Sequence, residues 1–154
     1  PYDLELKAVD RCQPGDVLIA SAGGSMRSGI WGELLSTAAV NRGCLGVVVD
    51  GAVRDVQQMT EMNFPVFARG VSLYDSRNRQ RVIDVAVDVA IGHVIVSEGD
   101  WVVADRDGVV FVPQKVAEEV FQYAWNKVLA ENQVREAIRG GMLATEAFAT
   151  FGVL

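Results

Sequence analysis

The stretch from Trp31 to Asp55 decides how this chain is organised. It reads Trp-Gly-Glu-Leu-Leu-Ser-Thr-Ala-Ala-Val-Asn-Arg-Gly-Cys-Leu-Gly-Val-Val-Val-Asp-Gly-Ala-Val-Arg-Asp. Glu33 opens an amphipathic segment, and Arg54 and Asp55 follow a strand-like apolar run and a glycine. Two acids and an arginine at one end of a helix–strand unit can hold a hard metal ion and an anionic substrate together.

The residue types alone favour a simpler interpretation of these three charges. Glu33 would be a first-turn acid that favours the helix dipole, and Asp55 an ordinary N-cap. Arg54 would then form a surface ion pair, which contributes little. Other parts of the sequence are needed to choose between the two interpretations.

Size and composition indicate a globular protein. The chain has 154 residues, of which 50% are hydrophobic and 22% charged, and we expect one domain over residues 1–154. Apolar runs such as Val47–Val49 are far shorter than the ~20 residues of a membrane span. We see no signal peptide and expect a cytoplasmic protein without a membrane partner. Because the first residue is Pro1, we expect a trimmed piece of a longer protein.

The charge and the cysteines exclude several partners. A net charge of −6 argues against nucleic acid, whose phosphates need a basic face. The clustered Arg77, Arg79 and Arg81 are typical of a solvated loop. Cys12 and Cys44 have neither zinc spacing nor the density of a disulfide scaffold. Both are expected to be buried thiols in a reducing compartment.

Helices and strands are predicted to alternate in the first half of the chain. The patterns and turn signals favour helices at Asp3–Arg11, from Gly32 to Gly43, and from Asp55 to Met62, with Asp3 and Asp55 as N-caps. Short apolar runs favour strands at Val17–Ala20, Gly46–Asp50 and Pro65–Ala68.

The second half is predicted to be a β cluster followed by a long helix. Alternation predicts a strand over Val85–Ile91. Further strands are expected at His93–Ser97, Trp101–Asp105 and Val109–Pro113, a long helix at Gln114–Arg139, and a short helix near Thr145–Thr150. The whole pattern predicts a mixed α/β domain with a central sheet.

Three common kinds of site are poorly supported. Gly23, Gly24, Gly29 and Gly32 do not form the glycine pattern of a dinucleotide-binding loop. The only histidine, His93, falls in a predicted strand, so a catalytic triad is disfavoured. The shortage of His and Cys also argues against zinc. A bound metal would therefore have oxygen ligands, which favours Mg²⁺ or Mn²⁺.

Several runs together resemble a known family. They are Gly32–Leu35, Arg42-Gly43, Gly46–Asp55, Phe64–Gly70, Gly99–Asp105, Asp107–Pro113 and Glu146–Leu154. In this order they resemble the RraA-like family. That family includes class II pyruvate aldolases acting on 4-hydroxy-4-methyl-2-oxoglutarate and 4-carboxy-4-hydroxy-2-oxoadipate.

The resemblance implies a fold and an assembly. The fold would be a swivelling β/β/α-type domain, with a mixed central sheet flanked by helices and a long C-terminal helix. The assembly would be a homotrimer or a hexamer formed by two trimers. Relative to the family, an N-terminal region of helix and strand is expected to be missing from this chain.

The resemblance also implies a role for each residue of the signature, which is an acid, twenty residues, and Arg-Asp. Asp55 would ligate the divalent metal, and Glu33 would hold metal-bound water. Arg54 would bind the pyruvyl end of the substrate and stabilise the enolate. The backbone N–H groups of Leu34 and Leu35 would receive the substrate carboxylate, as helix N-termini receive anions.

The resemblance implies roles for two further residues. The loop around Gly24 would form a wall of the substrate pocket. Glu131, on the long helix, would contribute to the metal site of a neighbouring subunit. Glu33 stands where the best-studied aldolases have Asp, and its extra methylene could move the water network.

The function implied is that of a metal-dependent carbon–carbon lyase. Its substrate would be a small 2-oxo acid: a 4-hydroxy-2-oxo acid cleaved to pyruvate, oxaloacetate decarboxylated, or both. The alternative is a non-enzymatic regulator that binds ribonuclease E, the activity for which the family is named. The enzymes keep the Arg-Asp pair and such regulators need not, so Glu33, Arg54 and Asp55 together favour the enzyme. A degenerate fold with a structural role is a third possibility.

Overall fold

The computed structural model describes residues 2–153 and divides into two compact units. The first unit is Pro1–Phe111 and the second is Val112–Leu154. The first contains the sheet and the residues singled out around Trp31–Asp55. A single domain over 1–154 stays a prediction.

The helices and strands alternate in the first half of the chain. The helices are α1 (Asp3–Arg11), α2 (Glu33–Asn41), α3 (Val56–Glu61), α4 (Ala117–Arg139) and α5 (Ala144–Phe151), with a 3₁₀ turn at Gln114–Val116. The strands are β1 (Val17–Ser21), β2 (Gly29–Trp31), β3 (Gly46–Val53), β4 (Val66–Val71), β5 (Val89–Ile91), β6 (Val94–Val96), β7 (Trp101–Ala104) and β8 (Val109–Val112). This confirms the predicted α/β fold with a long C-terminal helix.

Strand β3 is the centre of the main sheet, and all of its pairings are parallel. It pairs with β1 along its first half, with β2 at its end and with β4. In the register at the β2 end, Trp31 is opposite Val53. Antiparallel pairing occurs between β5 and β6, outside this sheet. Because β2 and β3 are adjacent and parallel, their carboxyl ends lie on the same side of the sheet.

The main core lies between the sheet and the first three helices. It is formed by buried apolar residues of α1, α2, β3 and α3 and of the segments between them: Val9, Cys12, Trp31, Ala39, Cys44, Val47, Val49, Val53, Met59 and Phe64. Every residue of β3 is buried, which is the pattern of a central parallel strand. The prediction that Cys12 and Cys44 are buried is confirmed, and both are free thiols.

Several local predictions were wrong. A strand was predicted over Val85–Ile91, but β5 begins only at Val89, because Ala86 adopts a positive φ of 59° and turns the chain. His93 lies in the turn between β5 and β6 and not in a strand. Asp3 does not cap α1; its carboxylate instead accepts a hydrogen bond from Lys7 at 2.9 Å. Strand β2 was not predicted.

The second unit consists mainly of α4 packed against α5. Helix α5 ends at Gly152, whose φ of 71° is the left-handed conformation that favours glycine. Arg77, Arg79 and Arg81 of the first unit are exposed, as expected for a loop. None of the helices in residues 2–153 is both long and apolar enough to cross a membrane.

Candidate functional site

The candidate site forms where β2 and β3 end. Strand β2 leads through Gly32 into α2, and β3 leads through Arg54 and Asp55 into α3. Because Trp31 is opposite Val53, Gly32 comes close to Arg54 and Asp55. The carboxyl ends of adjacent parallel strands are the usual location of ligand sites in α/β sheets.

Asp55 joins the two junctions through its side chain. Its Oδ2 accepts a hydrogen bond from the backbone N–H of Glu33, the first residue of α2, at 3.2 Å. Asp55 itself has φ 55°, a left-handed conformation that Asp tolerates better than most residues. It was predicted to cap α3, but its side chain makes no cap hydrogen bond there. It caps α2 instead.

Gly32 is required by this contact. A Cβ added to Gly32 would lie 2.4 Å from Asp55 Oδ2, which is far inside van der Waals distance. The backbone of Gly32 is extended, with φ −160°, so its conformation alone does not demand glycine. The space taken by the Asp55 carboxylate does.

Arg54 is held on several sides and is only 26% exposed. Its Nη1 donates a hydrogen bond to the carbonyl oxygen of Gly29 at 3.1 Å. Its Nε lies 3.7 Å from Asp55 Oδ2, and its Nη2 lies 3.6 Å from Asp75 Oδ2. The guanidinium therefore lies between two carboxylates.

Asp75 is a site residue that the sequence analysis missed. Its Oδ1 accepts hydrogen bonds from the Tyr2 hydroxyl and the Arg77 backbone N–H, both at 2.6 Å. These bonds, the Tyr2 bond first, lower the pKa of Asp75 below its usual range and so favour the carboxylate. The same bond raises the pKa of Tyr2. The only local signal was the turn-forming type of Asp75 within a polar stretch.

Glu33 and the first turn of α2 supply the remaining groups. Oε1 of Glu33 accepts a hydrogen bond from Thr37 Oγ1 at 2.8 Å, so the side chain lies along its own helix. The backbone N–H groups of Leu34 and Leu35 make no hydrogen bond within residues 2–153. Unpaired donors in the first turn of a helix favour a bound anion.

Comparison with known proteins assigns the family. The model of the RraA-like family, described as Aldolase/RraA, matches residues 3–111, which contain the whole candidate site. This chain belongs to the RraA-like family. The predicted resemblance is thereby confirmed.

Three similar proteins illustrate the range of the RraA-like family. A protein of Halalkalibacterium halodurans named "Putative 4-hydroxy-4-methyl-2-oxoglutarate aldolase" is 35% identical over 144 residues, which cover 93% of this chain and 68% of that protein. The crystal structure of an uncharacterized protein from Pseudomonas syringae is 31% identical with a TM-score of 0.91, covering 98% of this chain and 71% of that one.

The third is Streptomyces coelicolor RraAS2, described as an unusual member of the RNase ES inhibitor RraA protein family. It is 36% identical with a TM-score of 0.78, covering 88% of this chain and 69% of that one. The relatives of this RraA-like chain thus include a protein named as an aldolase and one named for ribonuclease inhibition.

Two predicted site residues of this RraA-like chain, Gly24 and Glu131, contact residues other than Arg54 and Asp55. Gly24 donates its backbone N–H to the carbonyl oxygen of Asp50 at 3.0 Å, and a Cβ there would be 3.3 Å from Arg69 Nε. Asp50 is buried and paired with Arg69, and both line an open groove of about 920 Å³ whose lining does not include Arg54 or Asp55. A substrate-binding role for Gly24 stays a prediction.

Glu131 lies on α4, in the second unit. Its Oε1 is 3.7 Å from Lys127 Nζ, one helical turn away. The predicted contribution of Glu131 concerns a neighbouring subunit, so it stays a prediction.

The acidic groups at the site can be compared with the ligands that a metal ion needs. Residues 2–153 contain no cluster of three or more His, Cys, Asp or Glu side chains able to enclose an ion. Asp55 Oδ1 makes no hydrogen bond in this part of the chain, and neither does Glu33 Oε2. Mg²⁺ keeps several waters and often binds through one or two carboxylates, so carboxylates such as those of Asp55 and Glu33 suit Mg²⁺ or Mn²⁺ better than a structural zinc, and a bound metal stays a prediction.

Proposed function

We propose that this RraA-like protein is a divalent-metal-dependent carbon–carbon lyase. Its substrates are 4-hydroxy-2-oxo acids of the 4-hydroxy-4-methyl-2-oxoglutarate type, cleaved to pyruvate, or oxaloacetate, which is decarboxylated. The observation that carries the proposal is the meeting of Arg54 and Asp55 with the unpaired N–H groups of α2.

Two neighbouring groups of such a substrate, its carboxylate and its oxo oxygen, match the two kinds of hydrogen-bond donor at the site. A 2-oxo acid carries a carboxylate next to its oxo group. The N–H groups of Leu34 and Leu35 suit the carboxylate, since a helix N-terminus offers donors and a positive dipole. The guanidinium of Arg54 suits the neighbouring oxygen, on which negative charge develops as the carbon–carbon bond breaks.

The charge of the site favours a cation as the cofactor. Asp55 and Asp75 both contact Arg54, and Glu33 adds a third acid in the first turn of α2. An anionic substrate is repelled by this excess of acids unless a cation offsets it. Asp55 would hold a Mg²⁺ or Mn²⁺ ion, with Glu33 reaching it through water. When bound, the ion would act as a Lewis acid on the reacting oxo group.

Proton transfer is left to the carboxylates or to water. The site has no histidine, because the chain's single His93 lies in the turn between β5 and β6. A carboxylate within reach of a water molecule can accept or return a proton. Glu33 Oε2, which makes no hydrogen bond within residues 2–153, is available for that role.

The test is a coupled pyruvate assay with Mg²⁺ or with EDTA. Oxaloacetate and 4-hydroxy-4-methyl-2-oxoglutarate serve as substrates, and the rate with Mg²⁺ but no protein is subtracted. Asp55→Asn should lose the metal-stimulated rate and keep the fold, because Asn tolerates a positive φ and its amide oxygen can still accept the Glu33 N–H. Arg54→Ala should lower the rate about 10²–10³-fold. Asp84→Asn, an exposed acid bonded to its own neighbour Val85, is the matched control.

Two results would contradict the lyase proposal. One is the absence of turnover above the metal blank with both substrates. The other is full metal-stimulated activity in Asp55→Asn. Either would favour the alternative, a non-enzymatic regulator of ribonuclease E-type RNA processing, which is supported by the description of RraAS2. That function predicts inhibition of ribonuclease E by the Asp55→Asn protein at the level of the wild type.

A further inference from the structure

The loop that carries Asp75 is attached directly to β2. The backbone N–H of Gly29 donates to the carbonyl oxygen of Tyr74 at 2.8 Å, and Gly29 forms a parallel bridge with Asp75. A Cβ on Gly29 would lie 2.6 Å from the carbonyl oxygen of Ser72, so only glycine permits this approach. The position of Asp75 is therefore set by the sheet.

The carboxylate of Asp75 is also oriented. Oδ1 is occupied by the Tyr2 hydroxyl and the Arg77 N–H, which leaves Oδ2 to face Arg54. Hydrogen bonds to a charged carboxylate are stronger than those between neutral groups. Two of them at 2.6 Å fix the rotation of a side chain that is 42% exposed.

Arg54 needs such a partner. An arginine side chain has about 2 kcal/mol of rotamer entropy to lose when it is fixed. Asp55 approaches it at Nε, next to the point where the guanidinium joins the side chain. The two terminal nitrogens depend on other groups: Nη1 on the Gly29 carbonyl and Nη2 on Asp75.

We infer that Asp75 is a positioning residue for Arg54, held in place by the hydroxyl of Tyr2. It sets the orientation of the guanidinium and does not itself contact the substrate. This inference rests on the proposed function in that Arg54 is taken as the group that stabilises the developing charge. The chain of contacts from Tyr2 through Asp75 to Arg54 is observed independently of any reaction.

The kinetic test separates kcat from KM. Asp75→Asn keeps an oxygen that can accept from Tyr2 and Arg77 but removes the charge that faces Arg54. Loss of an outer partner of a site residue typically lowers activity about 10- to 100-fold. We expect that loss in kcat for pyruvate release, with little change in KM, because the substrate carboxylate is bound by Leu34 and Leu35.

Further variants show whether the effect passes through Asp75. Asp75→Glu should recover part of the lost kcat, since it restores the charge. Tyr2→Phe should lower kcat in the same direction but less, because the Arg77 N–H still orients Asp75. Asp84→Asn is again the matched control and should behave as the wild type. Wild-type kcat in Asp75→Asn would overturn the inference.

A second measurement does not depend on catalysis. The ¹H–¹⁵N heteronuclear NOE of the Arg54 Nε–H reports how rigidly this side chain is held on the ps–ns timescale. The signal can be assigned by its disappearance in Arg54→Lys. We expect the NOE to fall in Asp75→Asn and to stay unchanged in Asp84→Asn.

The two measurements distinguish the possible failures. If the wild-type protein shows no turnover, the proposed function fails, and a lower NOE in Asp75→Asn still supports the positioning of Arg54 by Asp75. If the wild type is active but either kcat or the NOE is unchanged in Asp75→Asn, the inference about Asp75 is wrong and the proposed function stands.

Discussion

The closest test of the site geometry is the substitution Gly32→Ala. The new Cβ would lie 2.4 Å from Asp55 Oδ2, 3.0 Å from Arg54 Cγ and 3.2 Å from Arg54 Nη1. Ordinary contact begins near 3.4 Å, so the carboxylate oxygen has to move by about 1 Å. The backbone is extended and accepts alanine without strain. The substitution therefore acts on the side chains of Arg54 and Asp55.

The expected magnitude follows from two contributions. Moving Asp55 weakens its hydrogen bond to the Glu33 N–H, and loss of an N-cap typically costs about 0.5–2 kcal/mol. Inserting a methyl into an occupied space costs about 1–3 kcal/mol. Together they should lower the free energy of unfolding by about 1.5–5 kcal/mol, which lowers Tm by roughly 3–20 °C for a chain of this size. If the lyase proposal holds, kcat should fall about 10²-fold, the usual effect of a 1 Å misplacement.

A double-mutant cycle isolates the contact between Gly32 and Asp55. In an Asp55→Ala background, the oxygen at 2.4 Å is absent, and only the flexible side chain of Arg54 meets the new methyl. Gly32→Ala should then cost at least about 1 kcal/mol less in urea unfolding than it does in the wild type. Gly140→Ala, at a residue with φ −74° at the end of α4, is the glycine control; its Cβ would lie 3.3 Å from the Ala137 carbonyl oxygen, so it should cost less than Gly32→Ala does in the wild type. An equal cost of Gly32→Ala in both backgrounds would refute the geometry.

Two further predictions concern buried groups. Burial raises the pKa of Glu5 above its ordinary value of 4.5, and its Oε2 has no hydrogen-bond partner within residues 2–153. A carboxyl group whose pKa is raised in the folded state stabilises the fold below pH 4.5, and this stability is lost as the pH rises. Glu5→Gln should therefore increase Tm at pH 7.5 but not at pH 4, as measured by thermal unfolding. An equal change in Tm at the two pH values would contradict this prediction. Burial, followed by the Cys12 thiol, raises the pKa of Cys44 to about 12. Native Cys44 should therefore resist iodoacetamide at pH 8 and react fully in guanidinium, as peptide mass spectrometry would show.

The sequence predicted best those elements whose signals are local. The bounds of α1 were predicted correctly, and α2 begins at Glu33 where Gly32 and the apolar stripe placed its start. Gly43, with φ 82°, ends that helix region as expected. Apolar periodicity and glycine stops act within one or two turns, so one sequence is enough to detect them.

The errors arose where pairing decides the structure. Alternation over Val85–Ile91 fits a strand, but a strand also needs a partner, and β6 is only three residues long. Strand β2 is equally short and has no alternating pattern, yet the end of β3 provides a partner for it. Hydrogen bonding to a neighbour, and not the pattern itself, determined how many residues of each run became a strand.

The same distinction explains which site residues could be predicted. Between Glu33 and Arg54 the chain forms one helix, a short loop and one strand, so the number of residues between them is set by a single helix–strand unit. Parallel pairing of β2 with β3 then places the start of α2 beside the end of β3. A fixed spacing between an acid and an Arg-Asp pair is thus a consequence of geometry as much as of chemistry.

Asp75 is placed at the site by a loop and not by the helix–strand unit, so its distance in sequence from Arg54 follows no fixed pattern. It follows β4 by a few loop residues, and its place depends on the bridge to Gly29, 46 positions earlier in the chain. Its carboxylate faces Arg54 because Tyr2, from the start of the chain, occupies its other oxygen. Three distant segments must therefore fold together before Arg54 is fully held. It follows that a variant such as Tyr2→Phe can change the order of Arg54 while every residue of the Glu33–Asp55 signature is intact.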